Sequence, residues 1–289
     1  MNPDVERKID EIKSDREHGA GWLSREAIAI MKLAARKSGA TNTHDFLKDL
    51  EATAQRLMEA RRSMVAITNL VARFVYQLSE KSEDNIDVLR SFACSMGNKL
   101  IRDSEEATIN AASLASSIIE DGDRIMSCSY SSTINQAFKL AKASGKQFYV
   151  VVAESRTGEG RVYGESTTGE LTSLGIHAEV ITDSLIADTI TRMTKVMVGA
   201  DTILRDGSLI NGTPTSELAL AAKTANIPFY TVCETSKLDF WCRPGRQAHL
   251  EEGFDRVSSD MVTGIITEAG MLKPDELIDI MERGTGINS

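Results

Sequence analysis

Residues able to perform acid–base and anion-binding chemistry are concentrated in residues 195–217, KVMVGADTILRDGSLINGTPTSE. The apolar run 196–198 predicts a short buried parallel strand, and the turn after it places Asp201 at the strand's carboxyl end. Thr213-Pro214 then predicts the start of a helix over 216–225. Strand carboxyl ends bind ligands in open α/β sheets, and helix amino termini hold anions. This stretch therefore suits a phosphorylated substrate that needs proton transfer.

A second candidate segment is the hydroxyl-rich run 127–132, SCSYSS, where a predicted strand meets a predicted helix. Its hydroxyl and N–H groups could hold a phosphate, whereas plain N-capping by Ser131 and Ser132 would need no ligand. Cys128 could act as a nucleophile or an acid, although a small thiol at a strand end is more often a packing residue.

A third candidate is Arg156, which follows a predicted buried strand over 147–153. Its guanidinium could bind phosphate in a bidentate way, and a solvated charged loop is an equally good interpretation. The nearby Gly158, Gly160 and Gly164 do not have the spacing of a dinucleotide fingerprint, so we predict no nicotinamide cofactor.

Two basic junctions interrupt the helical pattern of the first part of the chain. One contains Arg16, His18 and Gly19, and the other contains Arg61 just before an apolar helix. Each could contribute to a ligand site, and each could equally be an ordinary connection between helices.

Composition excludes several classes of protein. The 289 residues allow one large domain or two modest ones, and 42% hydrophobic with 26% charged residues is typical of a globular protein. A net charge of −9 disfavours direct nucleic-acid or anionic-membrane binding. We find no apolar run long enough to span a membrane and no signal peptide. The four cysteines, Cys94, Cys128, Cys233 and Cys242, lack zinc spacing, so we expect reduced thiols, no metal and a cytoplasmic location.

The periodicity of apolar residues changes near residue 121. Residues 1–120 have helical spacing throughout and predict an all-α domain. Within it, Ser24 is expected to cap a helix that runs to Arg36 and is stopped by Gly39. Residues 121–289 alternate short apolar strands with helices, which predicts a mostly parallel, doubly wound sheet of the α/β class. The expected elements include a helix over 184–192 and a turn at Asp206-Gly207. The two parts could form one compact protein or two domains, and the lack of a Gly/Pro/Ser-rich linker favours close packing.

These segments together resemble one superfamily. It contains the α, β and δ regulatory subunits of eukaryotic translation initiation factor 2B, ribose-1,5-bisphosphate isomerase and methylthioribose-1-phosphate isomerase. The matching segments are HGA at 18–20, ARRSM at 60–64, ESR at 154–156, GAD at 199–201, DGSLIN at 206–211, LALAAK at 218–223, PFYTVCETSK at 228–237 and GIITEAG at 264–270. The resemblance implies an N-terminal helical domain packed on a C-terminal Rossmann-like domain, through which the protein forms dimers.

The resemblance is divided between the two branches of the superfamily. The isomerases share a Thr-His-Cys stretch whose cysteine works with the aspartate of Gly-Ala-Asp; here Ser129 stands in the cysteine's place and Cys128 in the histidine's. They also have Arg where His18 stands and Lys where Gly212 stands. The segments around Tyr130 and at 234–237 resemble the regulatory subunits instead.

Two functions follow from the resemblance. The first is a regulatory-subunit-like cytoplasmic homodimer, or higher homo-oligomer, that has a sugar-phosphate or nucleotide-monophosphate pocket and other translation initiation factors as partners. The second is an aldose–ketose isomerase acting on ribose 1,5-bisphosphate or a related sugar 1-phosphate, with Cys128 or Ser129 opposite Asp201. The predicted ligand contacts are Arg16, His18, Gly19, Ala20, Arg61, Ser131, Ser132, Arg156, Asn211 and Lys237.

Overall fold

A computed structural model describes residues 1–81, 83–158, 160–239 and 250–277. The chain divides into two compact units, Met1–Glu106 and Ala107–Ser289. None of the helices in the described residues is both long and apolar enough to cross a membrane.

The first unit is helical, as the sequence predicts, and its described residues contain no strand. Its helices are α1 (Pro3–Ser14), α2 (Ala20–Lys37), α3 (Thr43–Ala60), α4 (Val65–Ser79) and the first part of α5 (Ile86–Ser117). The side chains of Asn2 and Asn42 cap α1 and α3 by accepting hydrogen bonds from Asp4 N and Asp45 N. Apolar residues at helical spacing fill the core, among them Leu23, Ile28, Met31, Phe46, Leu57, Ile67 and Phe74.

The predicted start of α2 at Ser24 is wrong. The helix begins at Ala20, and Gly19 occupies the N-cap position with an extended backbone. Ser24 is fully buried inside the helix, where its hydroxyl donates to the carbonyl of Gly21 at 2.8 Å. A serine can satisfy its hydroxyl in this way within a helix, so serine alone does not mark a helix start.

The second unit contains a seven-stranded sheet with strand order β10-β9-β7-β4-β1-β2-β3. The strands are β1 (Arg124–Cys128), β2 (Tyr149–Ala153), β3 (His177–Ile181), β4 (Lys195–Val198), β7 (Phe229–Val232), β9 (Gly264–Thr267) and β10 (Gly270–Leu272). All pairings are parallel except that of β9 with β10. The prediction of a mostly parallel central sheet is therefore confirmed.

The order of the strands reverses between β1 and β4. From β1 the chain proceeds outward through β2 and β3, and from β4 it proceeds outward on the other side through β7 and β9. Connections leaving these two neighbouring strands therefore diverge. In open α/β sheets, the carboxyl ends of such strands border a crevice in which ligands bind.

Apolar clusters cover both faces of this sheet. One face packs on α6 (Ser132–Ala143), α7 (Tyr163–Ser173) and the end of α5. The other packs on the short α8 (Ile186–Thr189) and on α9 (Thr215–Thr224). The helix predicted over 184–192 is broken into α8 and two flanking 3-10 turns.

A small antiparallel sheet was not predicted. It consists of β5 (Thr202–Ile203), β6 (Leu209–Gly212) and β8 (Phe254–Val257), in the order β5-β6-β8. The predicted Asp206-Gly207 turn joins its first two strands, with the Asp206 carboxylate accepting from Ser208 N at 2.9 Å. This sheet delivers Asn211 and Gly212 to the carboxyl end of β1, because Gly212 lies against Ser129.

Candidate functional site

Ser129 is the first residue beyond β1, at the carboxyl edge of the sheet. Its φ of 60° lies in the left-handed region, which is uncommon for a residue with a side chain. The backbone is held there because Ser129 N donates to the Ser155 hydroxyl at 2.7 Å and its carbonyl accepts from Thr167 at 2.8 Å. A Cβ added at Gly212 would lie 3.0 Å from the Ser129 hydroxyl oxygen, so β1 and β6 meet closely at this point.

Cys128 lies in the apolar core. It is 2% exposed, and its sulfur is 3.2 Å from the hydroxyl of Thr215, at the start of α9. Burial raises the pKa of the Cys128 thiol to about 12, in spite of the hydrogen bond with Thr215. At neutral pH the thiol is therefore protonated, which does not suit a thiolate nucleophile.

Asn211 belongs to the same buried network. Its amide donates to the Thr215 hydroxyl at 2.9 Å, and that hydroxyl donates in turn to the carbonyl of Gly212. The network ties the end of β6 to the start of α9, so Asn211 has a structural partner already in place.

The amino terminus of α6 lies at the same edge. Ser131 is its N-cap and accepts from Ile134 N at 3.4 Å, which supports the capping interpretation, and Ser132 is exposed in the first turn. A Cβ added at Gly199 would come within 2.5 Å of the Ser131 hydroxyl. The loop after β4 therefore runs directly against the start of α6.

Asp201 is half-buried at the end of this loop. Its N–H donates to the carbonyl of Ile210 at 2.9 Å, and the Thr231 hydroxyl holds the carbonyl of Gly199 at 3.0 Å. The loop is thus fastened on one side to β6 and on the other to β7, which keeps Asp201 at the carboxyl edge.

Lys237 lies inside the protein beside two carboxylates. It is 5% exposed, and its Nζ is 3.4 Å from Oε2 of Glu234. Burial alone would lower the pKa of Lys237, but the negative charges of Glu234 and Asp201 outweigh it and raise that pKa. Glu234 also accepts a hydrogen bond from the hydroxyl of Thr108 on α5.

The amino terminus of α9, a predicted anion site, is occupied by a carboxylate of the chain itself. Asp255, on β8, accepts from Ser216 N at 3.0 Å and from the hydroxyls of Ser216 and Thr213, both at 2.9 Å. A carboxylate at this position satisfies one of the free N–H groups of the helix and has a favourable interaction with the helix dipole. Local residue pattern does not indicate this cap, because Asp255 lies 40 residues beyond Thr215, the first residue of the helix.

Arg156 lies in an exposed loop beyond β2. Its guanidinium pairs with Glu154 at 2.9 Å, and the backbone N–H groups of Ser155 and Arg156 donate to Asp183. Ser155 is also the residue that fixes Ser129, so the Arg156 loop adjoins the end of β1.

In the first unit, the two predicted basic junctions contact each other. Arg61 is buried, and its Nη1 donates to the carbonyl of Asp15 at 2.6 Å, to which Arg16 Nη1 also donates at 2.9 Å. His18 is exposed; its Nδ1 lies 2.8 Å from the Asp15 carboxylate, and its ring stacks on Trp22 at 3.7 Å. Gly19 and Ala20 form the start of α2.

The structure thus brings together, in the second unit, the segments that carry Ser129, Ser131, Asp201 and Asn211. It places Cys128 in the core and Lys237 in a buried ion pair. Within the part of the chain that the structure describes, no group of acidic, histidine and cysteine residues is arranged to hold a metal ion. Cys242 lies outside the described residues.

A mostly parallel central sheet with helices on both faces defines the chain as a protein of the α/β class. The family described as "Initiation factor 2 subunit family" matches residues 16–253, and the chain therefore belongs to that family.

Its relatives carry two different names. An eIF-2B subunit 2-like protein of Pyrococcus abyssi is 32% identical over 287 residues, which cover 95% of this chain and 98% of the relative. A ribose 1,5-bisphosphate isomerase of Thermococcus kodakarensis is 28% identical over 303 residues, covering 96% and 93%. The solved structure of translation initiation factor eIF-2B of Pyrococcus horikoshii OT3 has a TM-score of 0.82 at 29% identity, covering 96% of this chain and 100% of that one.

Proposed function

We propose that this chain is a regulatory-subunit-type member of the family that binds a phosphorylated sugar or a nucleoside monophosphate and does not catalyse its isomerisation. The observation that carries the proposal is the arrangement of Ser129 and Cys128. The hydroxyl stands at the sheet edge beside Gly212, and the thiol is buried with its pKa raised to about 12. A serine hydroxyl is a far poorer acid than a thiol, so the edge residue is ill suited to proton transfer.

The ligand would lie at the carboxyl ends of β1 and β4, in the manner of a Rossmann-like, doubly wound sheet. Ser131, Ser132 and Arg156 would contact its phosphate, and Asp201 and Asn211 would accept or donate hydrogen bonds to sugar hydroxyls. This assignment is supported by the α6 amino terminus and by the loop contacts that hold Asp201. The first-unit residues Arg16, His18, Gly19, Ala20 and Arg61 stay predicted ligand contacts.

A homodimer, a cytoplasmic location and other translation initiation factors as partners complete this proposal. The shared family with an eIF-2B subunit 2-like relative supports it. Regulation would then pass through a ligand-dependent protein contact.

The alternative function is an aldose–ketose isomerase. It is supported by the 28% identity to a ribose 1,5-bisphosphate isomerase over 96% of the chain. It is also supported by the contacts of β6, which adjoins Ser129 at one end and accepts a hydrogen bond from Asp201 N. In that mechanism Cys128 or Ser129 would serve one side of the transfer and Asp201 the other.

Turnover of ribose 1,5-bisphosphate separates the two functions. We expect none from the wild type, and none from Ser129→Cys, because His18 and Gly212 also differ from the isomerase pattern. Wild-type turnover that is lost in both Cys128→Ser and Asp201→Asn would overturn the proposal, since acid–base groups contribute roughly 10²–10⁴-fold to rates.

Ligand binding is tested separately by thermal shift with ribose, ribulose and nucleoside phosphates. A ligand at 100 times its dissociation constant stabilises the folded state by about 2.7 kcal/mol. Arg156→Ala should abolish this stabilisation and leave the melting temperature of the free protein nearly unchanged, because Arg156 is exposed. A large loss of stability without ligand would assign Arg156 a structural role instead.

A further inference from the structure

Lys237 differs from every other predicted phosphate contact of the second unit because its charged group is enclosed. Its side chain is 7% exposed and that of Glu234 is 2% exposed. An ammonium that contacts a diffusible phosphate must be reachable from solvent, whereas an enclosed ammonium is held by the carboxylates around it. Ser132 and Arg156, by contrast, are exposed.

The register of the sheet places Glu234 and Asp201 at equivalent positions beyond the ends of the neighbouring strands β7 and β4. Val198 of β4 pairs with Thr231 of β7, and each carboxylate comes three residues beyond its member of that pair. Thr231 also binds the carbonyl of Gly199, so the two segments stay adjacent past the ends of the strands. Both carboxylates act electrostatically on Lys237.

The turn that carries Lys237 is itself fixed. Lys237 N donates to the carbonyl of Glu234 at 2.9 Å, and Thr235 donates through its N–H and hydroxyl groups to the carboxylate of Glu268. On the other side, Thr108 of α5 donates to Glu234. The ion pair is therefore held from β7, from the β9–β10 turn and from α5.

We propose that the Lys237–Glu234 ion pair positions the carboxylate of Asp201 toward the ligand's hydroxyl groups, and that Lys237 is a positioning residue that does not contact phosphate. The inference rests on the proposed function for the ligand, but the arrangement of the three side chains is independent of it. Lys237 supplies the positive charge that orients the Asp201 carboxylate as a hydrogen-bond acceptor, while Glu234 and Thr108 keep Lys237 in place.

The first measurement needs no ligand. Carbon-13 labelling of aspartate carboxyl groups, with Asp201→Asn to assign the resonance, follows the titration of Asp201. Lys237→Met alone would leave Glu234 as an unpaired buried charge and could prevent folding, so the test variant is the neutral pair Glu234→Gln with Lys237→Met. The reference is Glu234→Gln alone, which differs from the neutral pair only by the Lys237 cation. We expect the Asp201 midpoint to be about one pH unit higher in the neutral-pair variant than in Glu234→Gln, because a neighbouring cation is lost.

Two controls accompany this titration. Lys237→Arg keeps the positive charge and should leave the midpoint close to that of the wild type. Lys223→Met removes an exposed lysine that pairs with Asp260 and should have no effect on Asp201. An Asp201 midpoint that is no higher in the neutral-pair variant than in Glu234→Gln alone would overturn the proposal.

The second measurement compares the binding of inorganic phosphate with that of ribose 1,5-bisphosphate by calorimetry. The neutral-pair variant should bind inorganic phosphate as the wild type does. It should lose the same factor in sugar bisphosphate affinity as Asp201→Asn, and combining all three substitutions should cause no further loss. A loss of inorganic phosphate affinity in the neutral-pair variant would make Lys237 a phosphate ligand and refute the positioning role. If the wild type binds neither probe, the proposed function fails, and the carboxyl titration still decides the role of Lys237.

Discussion

Two adjacent residues at the end of β1 have opposite environments. Cys128 faces the core and its hydrogen-bond partner Thr215, whereas Ser129 turns out of the strand with a left-handed backbone and adjoins Gly212. Successive side chains of a strand alternate between faces, so a shift of one residue exchanges a buried thiol for an edge hydroxyl. The chemistry available at this edge depends on that alternation.

The first prediction concerns stability at high pH. The pKa of the buried Cys128 thiol is raised from 9.0 to about 12, so the unfolded chain loses this proton at lower pH than the folded protein does. The stability associated with Cys128 is fully present below pH 9 and is lost as pH rises toward 12, by up to about 1.4 kcal/mol per pH unit. Urea unfolding at several pH values should show that the free energy of unfolding falls less steeply between pH 9 and 12 in Cys128→Ser than in the wild type.

Cys233 is the matched case for this prediction. Its pKa is also raised to about 12, chiefly by burial. Cys233→Ser should therefore reduce the loss of unfolding free energy at high pH to a similar extent as Cys128→Ser. Identical slopes in the wild type and both variants would show that neither thiol is enclosed as described.

The second prediction tests the contact between the loop after β4 and the start of α6. Gly199→Ala would place a Cβ within 2.5 Å of the Ser131 hydroxyl and 2.8 Å of its Cβ. Overpacking of this kind costs about 1–3 kcal/mol, and Ser131→Gly in the same chain should recover part of it. Gly158→Ala is the control, since a Cβ there has no atom within 4 Å. Equal effects of the two alanine variants on the free energy of unfolding would contradict the contact.

At the scale of elements, the periodicity of apolar residues is sufficient to predict the long helices of the first unit and the parallel strands of the second. Apolar runs such as 149–153 and 195–198 are buried on both faces, which gives them a distinct pattern. The β5-β6-β8 sheet was missed because β5 has two residues and the pairing of β6 with β8 joins segments about 45 residues apart. Local sequence contains little information about such long-range pairings.

The same reason explains which site residues could be predicted. Asp201 and Ser131 stand directly after strands or at helix starts, where local signals exist. The cap supplied by Asp255 and the burial of Lys237 arise from contacts with other segments, so residue type and spacing did not indicate them.

The third prediction tests the carboxylate at the start of α9. Asp255→Ala removes three hydrogen bonds to Thr213 and Ser216, and it should lower the free energy of unfolding by about 1–2 kcal/mol. Because the helix terminus then lacks its anion, the extra stabilisation by sodium sulfate over sodium chloride of the same ionic strength should be larger in Asp255→Ala than in the wild type. Glu252→Ala, at an exposed position of the preceding turn, is the control. Wild-type stability in Asp255→Ala would rule out the cap.

At the scale of the whole molecule, the described part of the second unit has an exposed sheet edge and separate exposed apolar side chains. β3 stands at the edge of the described sheet, and Val180 and Leu185 near it are exposed, as are Leu220 and Met271 elsewhere in the unit. Exposed strand edges and large apolar side chains favour association with another chain. The dimer through the second unit stays a prediction from the family resemblance.

The last prediction is that the protein is a dimer at micromolar concentration, built on the second unit. Light scattering should give twice the monomer mass, and the melting temperature should rise with protein concentration because association stabilises the folded state. Tyr76→Glu changes an exposed side chain on α4 of the first unit and should leave the dimer intact. A monomer mass for the wild type would refute the dimer. A dimeric wild type with a monomeric Tyr76→Glu variant would show that the interface lies in the first unit.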